Sequence, residues 1–291
     1  MKRKGMILCC LVLLFSLSPK AGSSSDYENV EQTFQVTSDK PLEVMLDVDA
    51  GEVLVTRSIE ARSGIVSMQY TQDRFRERID FNETKNRLIV RLDKRDWHKR
   101  VKKNRHGEDK NRARVEVKLP YDVTIFFDSR VKAGEVTMEM GGLRLKEFSL
   151  TNWAGDVEVR FDEPNSIVMD FLDIHVKIGE ARFVKLGNAR FEEADINGGI
   201  GEMDVDFTGN LLGGSNAKVD LDIGEASVLL PRNIGIRMHI AGGWSFLSEK
   251  NVDDYFYRRG GSYYSENYDE FQKKFSICIT PGLGELNVRS E

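Results

Sequence analysis

The stretch Ile178-Gly179-Glu180-Ala181-Arg182-Phe183 decides the fold, because its pattern recurs along the chain. A small or aliphatic residue precedes Gly, an acid follows it, and apolar residues take the first and third of the next three places. The same arrangement stands at Ala50-Gly51-Glu52, Ala133-Gly134-Glu135, Ala154-Gly155-Asp156, Ile200-Gly201-Glu202, Ile223-Gly224-Glu225 and Leu283-Gly284-Glu285. After the acid, Val157-Glu158-Val159, Met203-Asp204-Val205 and Leu286-Asn287-Val288 show the period of two of a half-buried strand. From Gly134 the copies follow at intervals of 21, 24, 22 and 23 residues as far as Gly224. One Gly-Glu dipeptide carries little information, but five at a near-constant spacing specify a repeat.

The physical reading is a stack of similar coils. Gly51, Gly134, Gly155, Gly179, Gly201, Gly224 and Gly284 are expected to be structural turns, where Gly accepts a positive φ and lets neighbouring coils approach. The acid after each stays in water while the next residues alternate inward and outward. A coil of about 22 residues holds two or three short strands, with the next coil roughly 4.8 Å further on. Leucine-rich repeats have a similar period, but their Leu-x-x-Leu-x-Leu pattern and helical segments are missing, and no stretch keeps a 3.6-residue apolar period. The expected fold is all-β: a β-solenoid-like stack with an N-terminal antiparallel section and an aromatic-rich C-terminal cap.

Working outward from the repeats, residues 24–40 form a lead-in. Residues 41–120 read as an antiparallel β section, with strands near Leu42–Val48, Glu52–Arg57, Ile65–Tyr70, Arg87–Leu92 and Arg114–Leu119 and a basic loop over 94–114. The repeat stack spans 121–242, an aromatic-rich insertion or cap 243–275, and a final strand 276–291. The sections without the turn are expected to cover the ends of the stack, which would otherwise expose unpaired backbone.

The first residues read as an export signal. Met1-Lys2-Arg3-Lys4 is a basic start, Met6 to Leu17 is apolar, and Ala21-x-Ser23 suits cleavage after Ser23. Twelve apolar residues fall short of the roughly twenty needed to span a bilayer. Cys9 and Cys10 lie in the middle of the apolar run, whereas a lipid-bearing Cys would stand at its end. Removing residues 1–23 takes away Lys2, Arg3, Lys4 and Lys20 and no acid, so the formal charge goes from −5 to −9. The mature chain then keeps Cys278 alone and has no intrachain disulfide, so the core itself must supply stability. The expected location is exported: periplasm, cell surface or medium, with no transmembrane segment in the mature chain.

Val115-Glu116-Val117-Lys118-Leu119-Pro120 leads into Ala133-Gly134-Glu135-Val136, then Gly142-Leu143-Arg144-Leu145 and Leu150-x-x-x-Ala154-Gly155-Asp156-Val157. That succession resembles the bacterial adhesin-type β-strand-repeat domain called toastrack. Tyr263-Tyr264-Ser265-Glu266-Asn267-Tyr268 through Gly282-Leu283-Gly284-Glu285-Leu286 is similar to the end of toastrack domains in regulators that respond to cell-wall-active antibiotics. The resemblance covers nearly all of the mature chain and implies a β-solenoid-like fold, an extracytoplasmic setting and no known catalytic centre. It carries no functional residue to transfer. Unlike those regulators, this chain begins with a signal peptide and has no transmembrane bundle.

The residues offer little for catalysis. His98, His106, His175 and His239 are scattered and form no metal-ligand spacing. Asp47 and Asp49, Asp204 and Asp206, and Asp220 and Asp222 are pairs that face one way on a strand. They would suit calcium if coils stacked them, though an acidic solvated face is the expected reading. There is no Gly-x-Ser-x-Gly elbow, and Cys278 is read as a strand residue without a nearby His. No catalytic residue, metal or cofactor is expected.

Two segments without the turn attract attention instead. Lys94 to Arg114 holds ten Lys or Arg and three acids. Lys99, Arg100, Lys102, Lys103 and Arg105 are the candidates for contact with anionic envelope components; nucleic acid is not expected. Trp244, Tyr255, Tyr257, Tyr263 and Tyr264 are candidates for a ligand surface or a cap. The expected function is that of a non-enzymatic envelope protein, an adhesin-like scaffold or interaction module, possible within an envelope-stress response. The alternative is a carbohydrate- or cell-wall-binding module using the aromatic insertion. The partner is an unidentified envelope protein or surface polymer.

Overall fold

The computed structural model describes residues 27–95, 113–241 and 249–291. Its unit is a coil with one strand in each of two sheets. In one such coil β8 (Thr124–Val131) lies in the first sheet, Gly134 turns the corner, and β9 (Val136–Glu139) lies in the second. The chain returns along an irregular third side to β10 (Arg144–Asn152) and β11 (Val157–Arg160), then to β12 (Met169–Ile178) and β13 (Ala181–Val184). Each strand pairs in parallel with its counterparts in the neighbouring coils. The following strands, β14 (Phe191–Asp206), β15 (Asn216–Leu230) and β20 (Lys274–Ser290), run unbroken through the corner and serve both sheets.

The corner is set by backbone contact. Gly51, Gly134, Gly155, Gly179, Gly201, Gly224 and Gly284 all have φ between 122° and 146°, a region L-residues with a Cβ rarely enter. They stack in one column. A Cβ on Gly201 would lie 1.9 Å from the Gly179 carbonyl oxygen, and one on Gly134 1.8 Å from that of Gly51. Each glycine therefore meets two demands, the turn and the close approach of the coil beside it. The expected structural turns are all in this column.

The alternating residues fill the space between the sheets. Val53 and Val55, Val136 and Met138, Val157 and Val159, and Met203 and Val205 are buried from the second sheet. Aromatic rings fill the wider parts: Phe127 stacks on Phe148 with centroids 5.5 Å apart, and Phe191, Phe207 and Phe275 form a mutual cluster. On the third side, buried asparagines replace sheet pairing. Asn165 accepts from the Leu145 N–H and donates to its carbonyl, each at 2.8 Å, and the Asn188 amide spans from the Phe161 carbonyl to the Asn210 N–H. These bonds satisfy backbone groups that no neighbouring strand reaches.

The N-terminal section differs from the antiparallel one expected. β2 (Leu42–Val48) and β3 (Glu52–Arg57) carry the repeat turn and join the stack as a parallel coil against β8 and β9. Outside them, β6 (Arg87–Lys94) and β7 (Arg114–Leu119) form a further parallel coil. Antiparallel pairing is confined to strands without the glycine turn: β1 (Tyr27–Gln35) on β4 (Ser63–Thr71), β4 on β7, and β5 (Phe75–Asn82) on β6. Phe34 of β1 meets Phe81 of β5 at 5.2 Å, bringing the two sheets together at this end.

The C-terminal end repeats the device. The last strand in sequence is not the last in space. β20 is enclosed between β15 and a coil made of β16 (Gly235–Ile240) and β17 (Glu249–Val252). A hairpin, β18 (Phe256–Arg259) and β19 (Ser262–Ser265), pairs antiparallel with β16. At both ends, a coil of the glycine column is tucked inside a further one, β2 and β3 inside β6 and β7, and β20 inside β16 and β17.

Candidate functional site

Two surfaces gather the side chains with recognition chemistry. The first is the glycine corner. The acid after each glycine stands outward in a column: Glu52, Glu135, Asp156, Glu180, Glu202, Glu225 and Glu285, extended by Glu249 opposite Glu285. Some accept hydrogen bonds: the Asn287 side-chain amide donates to Glu225 and Glu285, and that of Asn251 to Glu285. Among the described residues none of the eight is in an ion pair. A groove of about 300 Å³ is lined by Glu135, Asp156, Glu180 and Glu202 together with Glu158, Arg182 and Asp204. Like charges about 4.8 Å apart repel, so the column costs stability.

Immediately before the glycines the corner changes along the stack. Ala50, Ala133 and Ala154 occupy the first three coils, and Ile178, Ile200, Ile223 and Leu283 the next four. Those four are 54%, 51%, 44% and 41% exposed. They form an apolar ridge parallel to the acids. Trp153 is exposed beside its start, with the Lys177 ammonium 4.6 Å from the ring centroid.

The second surface is the hairpin edge at the C-terminal end. Period-two alternation within the hairpin strands sets Phe256 and Tyr263 inward and Tyr257 and Tyr264 outward, and Tyr255, just before β18, also turns toward the core. Phe256 is buried, and Tyr255 and Tyr263 are half-buried against the core. Tyr255 packs edge-on against Phe256, and the Arg232 guanidinium lies 4.7 Å above its ring. Tyr257, Tyr264 and Tyr268 face the other way as one cluster. Tyr264 lies 6.2 Å from Tyr257 and 4.9 Å from Tyr268, with Arg259 4.2 Å above Tyr264 and Lys274 4.4 Å above Tyr268. Asp253 fastens this end to the last strand: it accepts from the Tyr255 N–H and from both the N–H and hydroxyl of Ser290. The Tyr255 N–H and Ser290 hydroxyl hold its carboxyl below the usual carboxylate range, against a smaller opposing effect of burial.

Of the candidates named from sequence, Tyr255 and Tyr263 stand on the inward side of the hairpin and Tyr257 and Tyr264 on the outward side. Trp244, Lys99, Arg100, Lys102, Lys103 and Arg105 lie outside the described residues. So do residues 1–23, expected to be an export signal, and His98 and His106. Tyr268, already part of the Tyr263–Tyr268 stretch quoted above, and Arg259 complete the aromatic cluster; for Arg259, two residues on from Tyr257, alternation along 256–265 is the signal that places it on the same side. The aspartate pairs are not brought together. Asp47 and Asp49 and Asp220 and Asp222 are in the first sheet, Asp204 and Asp206 in the second, and Asp49 pairs with Lys132. Among the described residues no three His, Cys, Asp or Glu converge as a metal site.

Cys278 needs a correction, since it does have a neighbouring His. His239 stands opposite it on β16 and Lys218 opposite it on β15, a proximity created by strand pairing and invisible in linear spacing. The Gly261 carbonyl lies 3.1 Å from His239 Nδ1, which puts the proton on that nitrogen. Burial first, then the Asp220 carboxylate, push the Cys278 thiol up against the opposing pull of Lys218. That is the reverse of thiolate activation.

Among the described residues no helix is long and apolar enough to cross a membrane. No curated protein matches the chain in sequence. Several solved structures are similar, two of which follow. One, a candidate cell adhesion protein of Clostridium sporogenes ATCC 15579, is 14% identical with a TM-score of 0.43, over 91% of this chain and 100% of that one. The other, a candidate adhesin of Bacteroides fragilis NCTC 9343, is 12% identical with a TM-score of 0.35, over 90% of this chain and 97% of that one. The model of the N-terminal domain of toast_rack matches residues 22–171, more than half of the sequence, and the chain belongs to the toast_rack family.

Proposed function

We propose that this chain is a non-enzymatic, exported protein of the bacterial envelope that acts as an adhesin-like scaffold or protein-interaction module, with a role in the envelope-stress response. One observation carries the reading. The interior between the sheets is filled by aliphatic and aromatic side chains, while the charged columns and paired tyrosines stand on the outside. A molecule arranged in this way works by contact at its surfaces. The raised Cys278 thiol, opposite the nucleophile's requirement, supports a role without catalysis. The basic start and apolar run within residues 1–23, which read as an export signal, and the extracytoplasmic setting that the resemblance implies support the location. The basic residues Lys99, Arg100, Lys102, Lys103 and Arg105 suit peripheral contact with anionic envelope components.

The test is capture of envelope proteins by the immobilised mature chain, with reciprocal capture by the partner found. A single saturable protein partner is expected. Binding only to glycans would overturn the reading in favour of the second one, a carbohydrate-binding module. That alternative has its own observation, the outward group of Tyr257, Tyr264 and Tyr268 beneath Arg259 and Lys274. Such rings with polar edges suit sugar faces. A glycan array with Tyr257→Ala and Tyr264→Ala as controls separates the two.

A further inference from the structure

We propose that the C-terminal half of the glycine corner is a docking surface for a basic amphipathic helix of a partner protein. Ile178, Ile200, Ile223 and Leu283 form a continuous exposed ridge, each opposite the next in the parallel register. Glu180, Glu202, Glu225 and Glu285 follow them by two residues and line the same corner, joined by Glu249. The apolar row and the acidic row are separate features, and their juxtaposition selects a partner with both an apolar stripe and flanking cations.

The spacing selects its shape. Adjacent coils are about 4.8 Å apart and successive turns of an α-helix about 5.4 Å apart, so an offset of only roughly 2 Å accumulates across the four ridge residues. An extended strand presents one face every 6.6–6.8 Å or so and loses register after one step. A helix with leucine-type residues at i, i+3, i+4 and i+7, bordered by Lys or Arg, meets both rows at once. The N-terminal half of the corner has the acids but only Ala50, Ala133 and Ala154 in the place of the ridge, with Trp153 exposed at its boundary, which leaves no continuous apolar row to hold a helix.

The proposal rests on the reading of the chain as an interaction module, but it concerns a surface distinct from the outward tyrosines of the aromatic hairpin. The probe is a labelled helical Lys/Leu peptide of about 18 residues, roughly 27 Å long, with its leucines on one face. A second peptide of the same composition has the leucines distributed around the helix. Binding to the full chain is followed by fluorescence anisotropy. The one-faced peptide is expected to bind saturably, one per chain, and at least tenfold more tightly than the other. Ile200→Ser with Ile223→Ser should weaken it tenfold or more, Glu202→Gln with Glu225→Gln should weaken it and flatten its salt dependence, and Ala133→Ser should change nothing.

Equal affinity for the two peptides would overturn the proposal in favour of unspecific charge attraction, and that comparison needs no protein variant to fold. Undiminished binding by a folded Ile200→Ser, Ile223→Ser chain would overturn it as well. Self-association in sedimentation that this variant abolishes would reassign the ridge to contact between copies. If the peptide fails while an envelope partner is still captured, the docking surface alone falls; loss of both removes the interaction reading too.

Discussion

The first three coils with the turn and the last four solve the corner in different ways. In the N-terminal half the strands stop before the glycine and start again after it, and alanine precedes the turn at 50, 133 and 154. In the C-terminal half Ile178, Ile200, Ile223 and Leu283 precede it; β12 and β13 still stop on either side of Gly179, whereas β14, β15 and β20 pass through without interruption. The glycine column and the acids are common to both halves. What the halves share is what the corner needs, and the apolar ridge is an addition to it.

The largest effects should be blind to this difference. Gly134→Ala in one half and Gly201→Ala in the other would each put a methyl within 2 Å of a carbonyl oxygen in a φ region closed to alanine. Losses above about 4 kcal/mol are expected for both in urea unfolding. Gly260 is a useful control, having nothing within 4 Å of its Cβ position; its φ of 63° leaves Gly260→Asn within about 1 kcal/mol. Tolerance of alanine in one half only would break the idea of a shared device. Next in size, Phe148→Ala and Phe207→Ala remove fully buried rings from opposite halves. Each should lose roughly 3–5 kcal/mol, and a much smaller loss for one would mark that half as loosely packed.

The ends offer a smaller, pH-dependent comparison. Asp253 fastens the C-terminal end, and its folded-state pKa is lowered. Its contribution is therefore complete above the unfolded value near 3.9 and disappears as pH falls through the lower folded one. At the other end burial would raise the Asp49 carboxyl, but Lys132 and the Lys94 N–H bring it down, so the same acid window applies. Asp253→Asn should remove about 1–2 kcal/mol at neutral pH and flatten the acid limb of stability. Hydrogen exchange of residues 249–265 would locate that loss at the C-terminal end. The smallest effects return to the corner: Glu202→Gln relieves like-charge repulsion, and Ala133→Ile adds a stacked aliphatic side chain. Each should raise thermal stability by a few tenths of a kcal/mol.

Much of the architecture was legible from the sequence because it depends on local requirements. Gly51 to Gly284 announce the turn, and Val157-Glu158-Val159 and its relatives announce which side faces inward. Coil order was not legible. Nothing between Val252 and Lys274 signals that β20 will slip inside β16 and β17, since that depends on which edge the last strand reaches. The mixed N-terminal pairing has the same origin, with β2 and β3 obeying their turn and β1, β4 and β5 closing the end. The candidate surfaces were legible in part. The aromatic cluster was visible as composition, but its division into inward and outward sides needed the hairpin register. The His239–Cys278 proximity arises only on pairing. The change from Ala154 to Ile178 before the glycine was present in the sequence, but it acquired meaning once the coils were stacked and the four side chains lined up.

The central claim is that glycine builds the corner while the residue before it is available for recognition. Its most direct test is the chain with Ile178→Ala, Ile200→Ala, Ile223→Ala and Leu283→Ala together, which gives the C-terminal half the N-terminal pattern. Cooperative unfolding in urea should persist, with a loss of roughly 2–4 kcal/mol from partly exposed aliphatic surface, and the one-faced basic helix should no longer bind. A chain that fails to fold, or one that folds and still binds the helix as before, would contradict the account.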